Sequence, residues 1–218
     1  MEQVTPTAVI SKRVRELRER RGGMSAQALA DRCAELGMPS LKRQAIANLE
    51  TGRRAMVTVE ELLVLAHALD TSPVTLLMPD PGDELAVTPE LSIDPRRLVL
   101  WLAGERPAEG LPTVRFERSV VRARWHRAAY DAEQRANQAD RSARLARKDG
   151  EEQEADEYLQ ERDRHLQELA GILDAMLEAG SDVPAINAGY ARMMIRRRWT
   201  RHPDGIRAVE LPGDGEQG

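Results

Sequence analysis

Aromatic residues, cysteine and lysine are scarce in this sequence of 218 residues. Phe, Trp and Tyr together account for 3% of it, lysine occurs three times, and Cys33 is the single cysteine. A core with so few aromatic residues has to be built from Leu, Val, Ile, Met and Ala, which favours helices over sheets. One cysteine allows no disulfide within the chain, as is typical of a reducing cytoplasm. Cys33 falls on the apolar face of a predicted helix, so we expect a small buried residue there rather than a redox or metal site.

Long hydrophobic runs and the motifs of several enzyme classes are also missing. No segment is apolar enough to span a membrane, which takes about 20 residues, and there is no signal-peptide pattern. We therefore expect a cytoplasmic protein without a membrane partner. The zinc motif HExxH and the phosphate-binding motif GxxxxGK[ST] are absent, so we expect no metal site, no cofactor and no enzymatic activity. The four histidines are scattered along the chain: His67, His126, His165 and His202.

Charge is unevenly distributed along the sequence. The whole chain has a net charge of -4, which does not by itself indicate binding to nucleic acid. Residues 1–54, however, contain 11 Lys or Arg and 6 Asp or Glu, a net charge of +5. The N-terminal part is therefore the part whose charge suits an acidic partner.

That basic part contains a short segment with two different faces, residues 40–54, SLKRQAIANLETGRR. At helical spacing Ile46 and Leu49 lie on one side, and Gly52 provides a left-handed end to the helix. The opposite side carries Arg43, Gln44, Ala47 and Asn48. Arg, Gln and Asn have forked donors and acceptors that match the major-groove edges of guanine and adenine. The pattern is typical of the recognition helix of a helix-turn-helix domain.

Amphipathic helices surround this segment and predict a compact all-α bundle over residues 8–80, after a loose tail over residues 1–7. The expected helices cover about residues 8–21, 25–37, 40–52, 58–69 and 72–77. A capping box formed by Thr58 and Glu61 begins the fourth helix. The apolar residues that we expect this fourth helix to bury are Val59, Leu62, Leu63, Ala66 and Leu69.

The set of residues in this bundle resembles the lambda-repressor and Cro type of helix-turn-helix domain, the Xre family, over residues 8–80. The resemblance rests on Leu29-Ala30, Ile46, Leu49-Glu50, Gly52 and the run TVEELLVLAHALDTSPVTLL from residue 58. It implies a five-helix DNA-binding domain whose third helix enters the major groove. In that family a Glu at the end of the recognition helix pairs with an Arg late in helix 1. The matching residues are Glu50 and Arg18.

The resemblance also implies which side chains contact DNA. The base-reading positions correspond to Arg43, Gln44 and Asn48. The expected phosphate contacts lie at the ends of helices 2 and 3: Ser25, Gln27, Lys42, Arg53 and Arg54.

Two features of the sequence depart from the family pattern. Ala26 stands where the family often has Gln, so Ser25 or Gln27 would supply that phosphate contact. The stretch from Ala30 to Glu50 is also longer than usual, so either helix 2 or the turn after it must be extended.

Residues 81–113 have a different composition, with frequent proline. Asp94-Pro95 caps a short apolar helix, RRLVLWLAG. We predict a Pro-rich linker with one short helix that docks on a neighbour, and Trp101 as a packing anchor rather than a ligand-stacking residue. No pocket signature is visible over residues 81–218, although a ligand-sensing regulator is a further possibility.

Residues 114–200 predict a long antiparallel helical hairpin with a turn at Asp149-Gly150. Its first helix, residues 115–148, has alanines at steps of three and four, and its second, residues 151–179, has a leucine heptad stripe interrupted by Arg162. The first contains 10 basic and 4 acidic residues and the second 2 basic and 10 acidic. This charge pattern favours pairing of the helices over binding of the basic helix to DNA. The apolar stripes indicate either a hairpin that packs on itself or a dimerisation region in which two hairpins form a four-helix coiled coil.

The C-terminal tail covers residues 201–218, after a possible helix PAINAGYARMMIRRRW. Arg196, Arg197, Arg198 and Arg201, beside Trp199, either contact phosphate or form a solubilising face. Residues 211–218 are expected to be disordered.

These patterns favour a bacterial, sequence-specific transcriptional regulator, a repressor that binds double-stranded DNA as a homodimer. The alternative is a helix-turn-helix adaptor that binds a protein partner such as a sigma factor, a toxin or another regulator. In that case the C-terminal hairpin would be the binding surface and DNA contact would be secondary. Some repressors of the phage type also carry a self-cleaving peptidase domain with a Ser-Lys dyad. The only lysine after residue 42 is Lys148, at a predicted helix end, so we do not expect this activity.

Overall fold

The computed structural model describes residues 3–20 and 22–209, and the chain divides into two compact units after Pro112. Helices dominate the described residues, which confirms the all-α class. No helix among them is long and apolar enough to cross a membrane. The proposed disorder of residues 211–218 falls outside the described residues.

The N-terminal unit begins with a bundle of five helices. They are α1 (Pro6–Arg20), α2 (Ala26–Glu35), α3 (Arg43–Glu50), α4 (Val59–Ala68) and α5 (Pro73–Leu77). Side chains cap four of them, as expected for Ser and Thr at a helix start: Thr5 for α1, Ser25 for α2, Thr58 for α4 and Ser72 for α5. Thr58 and Glu61 form the predicted capping box. The apolar stripes of the helices meet in one core that includes Val14, Leu29, Cys33, Ile46, Leu49, Leu65, Leu69 and Leu76.

Three details of this bundle differ from the sequence-based expectation. Residues 1–7 are not simply a loose tail, because α1 begins at Pro6 and a short strand β1 (Gln3–Val4) precedes it. The third helix begins at Arg43 rather than at residue 40, and Leu41, in the turn before it, is buried in the core. Val59 and Leu63 on α4 are 69% and 52% exposed, so they belong to the surface and not to the core.

Residues 81–112 belong to the N-terminal unit and are more ordered than a linker. Strands β2 (Glu84–Thr88) and β3 (Leu91–Ile93) form a hairpin, and β2 also pairs in parallel with β1. The expected short helix, α6 (Pro95–Leu102), follows. A second small core buries Val9 of α1 together with Leu85, Ile93, Leu98 and Ala108, and Trp101 packs against it. These apolar side chains tie the segment to α1.

The C-terminal unit is built on the predicted hairpin. Helix α7 (Thr113–Lys148) and helix α8 (Glu152–Glu178) are joined at Gly150, whose φ of +82° favours glycine. The alanine face of α7 packs against the leucine face of α8, and both are buried within one chain. Ion pairs then cross between the helices, among them Arg135–Glu168 at 2.8 Å and Arg162–Asp140 at 3.2 Å. The first pair joins a basic residue of α7 to an acidic residue of α8, and the second pair has the opposite polarity.

The end of the chain packs on this hairpin. Strand β4 (Ala185–Asn187), helix α9 (Ala188–Arg196) and strand β5 (Arg207–Val209) follow α8, and β4 pairs in parallel with β5. Ile186, Tyr190, Ala191 and Met194 join the core of α7 and α8. Residues 201–209 are therefore part of the folded unit and not a free tail.

Candidate nucleic-acid interface

Helix α3 is anchored by one apolar face. Ile46 and Leu49 are fully buried, and α3 contacts both α1 and α2. The helix ends at Glu50, Gly52 follows with a φ of +69°, and the amide of Arg53 then donates to the carbonyl of Asn48 at 2.9 Å. This left-handed end satisfies the last carbonyl groups of the helix and turns the chain away. The opposite face of α3 is consequently left to solvent.

The outward face of α3 carries the three predicted base-reading residues. Arg43 and Gln44 are exposed and Asn48 is half-buried. Gln44 Nε2 donates a hydrogen bond to Asn48 Oδ1 at 3.0 Å, so the two amides are held together one helical turn apart. Arg43 makes no ion pair with any residue that the structure describes. This face therefore presents one free guanidinium beside a pair of amides, and these are groups that can hydrogen-bond to base edges.

Arg18 and Glu50 join α1 to the end of α3. Arg18 Nε donates to Glu50 Oε1 at 2.7 Å and Arg18 Nη2 donates to Oε2 at 2.9 Å. The remaining nitrogen, Nη1, donates to the carbonyl of Met24, just before α2. The hydrogen bond to Glu50 raises the pKa of Arg18, so the guanidinium stays charged. One guanidinium thereby links α1, the start of α2 and α3.

The expected phosphate contacts have different surroundings. Lys42 and Arg53 are exposed at the two ends of α3 and have no ionic partner within the described parts of the chain. Ser25 is exposed, and its hydroxyl accepts from the amide of Ala28 at 3.0 Å, which leaves its proton available. Gln27 is exposed but donates to Asp31 at 2.8 Å. Lys42, Arg53 and Ser25 are thus the groups of this set best able to meet a phosphate.

Arg54, by contrast, is held inside the protein by an ion pair. Its Nη2 donates to both oxygens of Glu61, at 2.8 and 2.9 Å, and its Nη1 is buried without a hydrogen-bond partner. Glu61 also completes the capping box with Thr58. Arg54 therefore secures the loop between α3 and α4. The sequence showed the capping box but offered no signal for this second partner of Glu61.

The extra residues noted in the sequence lie in the turn and not in α2. Helix α2 ends at Glu35, and residues 36–42 form the connection to α3. The amide of Met38 donates to the carbonyl of Cys33, and the amide of Leu41 donates to the carbonyl of Met38. Leu41 is buried and holds this long turn against the bundle. The insertion lengthens the turn before α3 and leaves the anchoring face of that helix intact.

Two of the four arginines around Trp199 form ion pairs within the C-terminal unit. Arg197 forms an ion pair with Asp163 and lies over the ring of Trp199, 5.1 Å from its centroid. Arg201 pairs with Glu178 at 2.9 Å. Arg196 and Arg198 remain exposed. Two of these four side chains therefore stabilise the unit itself.

An apolar surface near the end of α3 was not expected from the sequence. Met56, Val59 and Leu63 are 70%, 69% and 52% exposed. Val59 and Leu63 are four residues apart and share one side of α4. Their apolar character suggested core positions, and only the orientation of α4 in the bundle reveals that they face outward.

Comparison with known proteins supports the assignment of the N-terminal fold. Residues 10–77 match the family model described as "Helix-turn-helix domain". No curated protein and no solved structure matches the chain significantly. The matched residues run from α1 to the end of α5 and contain the Arg18–Glu50 pair and the whole of α3. Residues 10–77 therefore form a helix-turn-helix domain.

Proposed function

We propose that this protein is a sequence-specific transcriptional regulator, a repressor of the Xre type, that inserts α3 into the major groove of double-stranded DNA. The observation that carries the proposal is the outward face of α3, where Arg43, Gln44 and Asn48 stand on a helix fixed by buried apolar residues and by the Arg18–Glu50 pair. An arginine fork suits guanine, and an amide suits adenine. Each well-placed bidentate contact discriminates between bases by about 1–3 kcal/mol.

Contacts to the phosphate backbone would set the register of α3. Lys42 and Arg53 flank the helix with free positive charges, and Ser25 stands at the N-terminus of α2, where unpaired backbone amides favour an anion. Such contacts position a protein on DNA without reading its sequence. The N-terminal unit would combine them with the base contacts of α3.

A homodimer is part of the proposal because a single domain of this size reads only one half-site. The apolar stripes of α7 and α8 face each other inside one chain, so they do not by themselves supply a dimer interface. Sedimentation equilibrium of the full chain, with and without its DNA site, measures the oligomeric state. A monomer that occupies both half-sites of a symmetric site without self-association would contradict the dimer.

The decisive experiment is selection of genomic DNA fragments by the purified full chain, repeated at several salt concentrations. We expect enrichment of a short two-fold symmetric site, with an affinity that falls steeply as salt rises because phosphate contacts release counterions. A control chain with Arg43→Ala and Gln44→Ala keeps the fold but lacks two of the base-reading groups, and it should enrich no common site. If the unmodified chain also fails to enrich a site, the DNA-reading proposal is rejected.

The second candidate function is an adaptor that binds another protein through the helix-turn-helix unit. The observation in its favour is the exposed apolar surface of Met56, Val59 and Leu63, since exposed apolar side chains that lie together can mark a protein contact. The two functions use different residues. Val59→Ser with Leu63→Ser would abolish binding of a protein partner and leave α3 unchanged, whereas Arg43→Ala would do the reverse.

A further inference from the structure

A cleft of about 460 Å³ lies in the C-terminal unit, between the hairpin and α9. Its volume falls within the range that holds small organic ligands. Four arginines line it, Arg141 and Arg144 on α7, Arg162 on α8 and Arg192 on α9. The only acidic residue in the lining is Asp140. Two more carboxylates contact lining residues from outside the cleft: Asp163 accepts from Arg162 at 2.7 Å, and Glu133 accepts from the amide of Asn187 at 2.8 Å. The lining itself keeps four guanidinium groups against one carboxylate, and this excess favours an anion.

The acidic residue serves to fix two of the arginines. Arg144 Nη2 donates to Asp140 Oδ2 at 2.6 Å, and Arg162 Nη1 donates to Asp140 Oδ1 at 3.2 Å. Arg162 is also held by Asp163 at 2.7 Å. Two guanidinium groups are thereby set in place before any ligand arrives, which lowers the entropy cost of binding. Arg141 is exposed and makes no ion pair with a described residue, so its full charge is available.

Tyr190 adds a hydrogen-bond donor that the protein does not use. The residue is 8% exposed and lines the cleft, and its hydroxyl has no hydrogen-bond partner among the residues that the structure describes. Burial, with a smaller contribution from Asp140, raises the pKa of Tyr190 to about 12. The hydroxyl therefore keeps its proton at neutral pH. A ligand oxygen in the cleft can accept a hydrogen bond from this unpaired hydroxyl.

The N-terminus of α9 closes the same cleft. Asn187 caps the helix by accepting from the amide of Tyr190 at 3.1 Å, and both Asn187 and Gly189 line the cleft. The first amides of a helix have no partner inside it, and their dipoles favour negative charge. Gly189 has no side chain to cover its own amide. Forked guanidinium groups together with helix amides suit a tetrahedral group with several acceptor oxygens.

We infer that this cleft is a binding site for a small phosphorylated ligand, with Arg141, Arg144, Arg162 and the N-terminus of α9 around the phosphoryl group and the Tyr190 hydroxyl donating to it. The site lies within the C-terminal unit and does not depend on the DNA-binding proposal. It would make that unit a ligand-binding region, for which the sequence showed no pocket signature.

Isothermal titration calorimetry of the full chain with inorganic pyrophosphate, at constant ionic strength, tests the site. We expect saturable binding with one ligand per chain. Arg141→Ala should weaken it at least tenfold, because a free guanidinium is lost without disturbing an internal pair. Tyr190→Phe removes only the hydroxyl and should weaken it at least threefold. Arg118→Ala is the matched control, since Arg118 is also an exposed, unpaired arginine of α7 but lies outside the cleft, and it should change the affinity less than twofold.

Three results would overturn the inference. The first is the absence of saturable pyrophosphate binding by the unmodified chain. The second is an equal effect of Arg141→Ala and Arg118→Ala, which would indicate general charge attraction. The third is a competition titration in which citrate, or a short DNA duplex of random sequence, occupies the site with an affinity equal to that of pyrophosphate. That result would assign the cleft to a carboxylate or to the DNA backbone.

Discussion

Arg18 and Glu50 are 32 residues apart in the chain and are joined by two parallel hydrogen bonds of 2.7 and 2.9 Å. Their side chains are 15% and 10% exposed, so the pair is largely removed from solvent. A paired charge in such a position is tolerated because its partner satisfies it, whereas a single remaining charge is not. The pair therefore ties the C-terminal end of α3 to α1.

Replacing Arg18 by Ala should destabilise the N-terminal unit. The change leaves Glu50 charged and largely buried, and it removes the hydrogen bond to the carbonyl of Met24. We expect a loss of about 3–5 kcal/mol in the free energy of unfolding, measured by urea denaturation. Arg15→Ala is the control, because Arg15 pairs with Glu19 on the surface, where the side chains are 61% and 54% exposed. That change should cost less than about 1 kcal/mol, and similar losses for both variants would refute the structural role of Arg18.

Arg43→Ala should relax the sequence preference of the protein for DNA. The side chain is free and exposed on α3, so its loss should leave stability unchanged while affinity for the selected site falls by about 1–3 kcal/mol. Binding to random DNA should fall much less. Fluorescence anisotropy with the selected duplex and with single-base variants measures both. An unchanged site preference would remove Arg43 from the base-reading set.

Arg53→Ala should weaken binding to all DNA sequences alike. Arg53 is exposed directly after α3 and has no ionic partner within the described residues, so it is placed for a phosphate. Loss of one phosphate contact should reduce the slope of log affinity against log salt by about 1. The same anisotropy titrations over a salt series give this slope. A sequence-dependent loss with an unchanged slope would point to base contact instead.

Arg54→Ala should lower the stability of the N-terminal unit, whereas the same change at the neighbouring Arg53 should not. Its side chain pairs with Glu61, and the two are 25% and 13% exposed. Removal leaves Glu61 without its partner, and we expect a loss of about 1–3 kcal/mol. Arg53→Ala is the neighbouring control and should change the unfolding free energy by less than about 0.5 kcal/mol. A double-mutant cycle with Glu61→Ala isolates the pair, and a coupling energy near zero would show that Arg54 does not anchor the loop.

The five-helix bundle could be predicted from the sequence because each helix carries its own signals. Ser25, Thr58 and Ser72 mark helix starts, and Ile46 and Leu49 recur at helical spacing. These signals are local, so they need no knowledge of the rest of the fold. The hairpin of α7 and α8 was predictable for the same reason, with the added evidence of opposite charge.

What the sequence could not show depends on partners distant in the chain. Leu85 and Ile93 form a core with Val9 of α1, and proline around them indicated a linker instead. Val59 and Leu63 are apolar, but the orientation of α4 leaves them exposed. The cleft beside Tyr190 draws its lining from three separate helices. A local sequence pattern does not show which distant residues come together in the fold. The packing of residues 81–112, the exposed surface of α4 and the cleft therefore could not be predicted from the sequence.

Asp174 should make the stability of the C-terminal unit depend on pH. The carboxylate is 2% exposed and accepts hydrogen bonds from the Thr200 hydroxyl at 2.7 Å and from the Arg201 amide at 2.9 Å. Burial raises its pKa, but these hydrogen bonds, with further ones from the His202 amide and the Arg201 side chain, outweigh burial and leave the pKa of Asp174 below its ordinary value. A carboxyl group whose pKa is lower in the folded state than in the unfolded state stabilises the fold above its unfolded pKa of about 4. That contribution is lost as the pH falls from there through the folded pKa.

Asp174→Asn should therefore lower the free energy of unfolding by about 1.5–3 kcal/mol at pH 7, because an amide cannot accept these hydrogen bonds as a carboxylate does. The difference from the unmodified chain should shrink as the pH falls below about 4, because the carboxyl group is protonated there in the unfolded chain while it stays charged in the folded one until its lower pKa is reached. Urea denaturation between pH 7 and pH 2, followed by the fluorescence of Trp125 and Trp199 in this unit, measures the difference. Asp182→Asn is the matched control, since Asp182 is 76% exposed and pairs with Arg122 on the surface. A difference for Asp174→Asn that stays constant over this pH range would show that its effect arises from packing and not from the charge of the carboxylate.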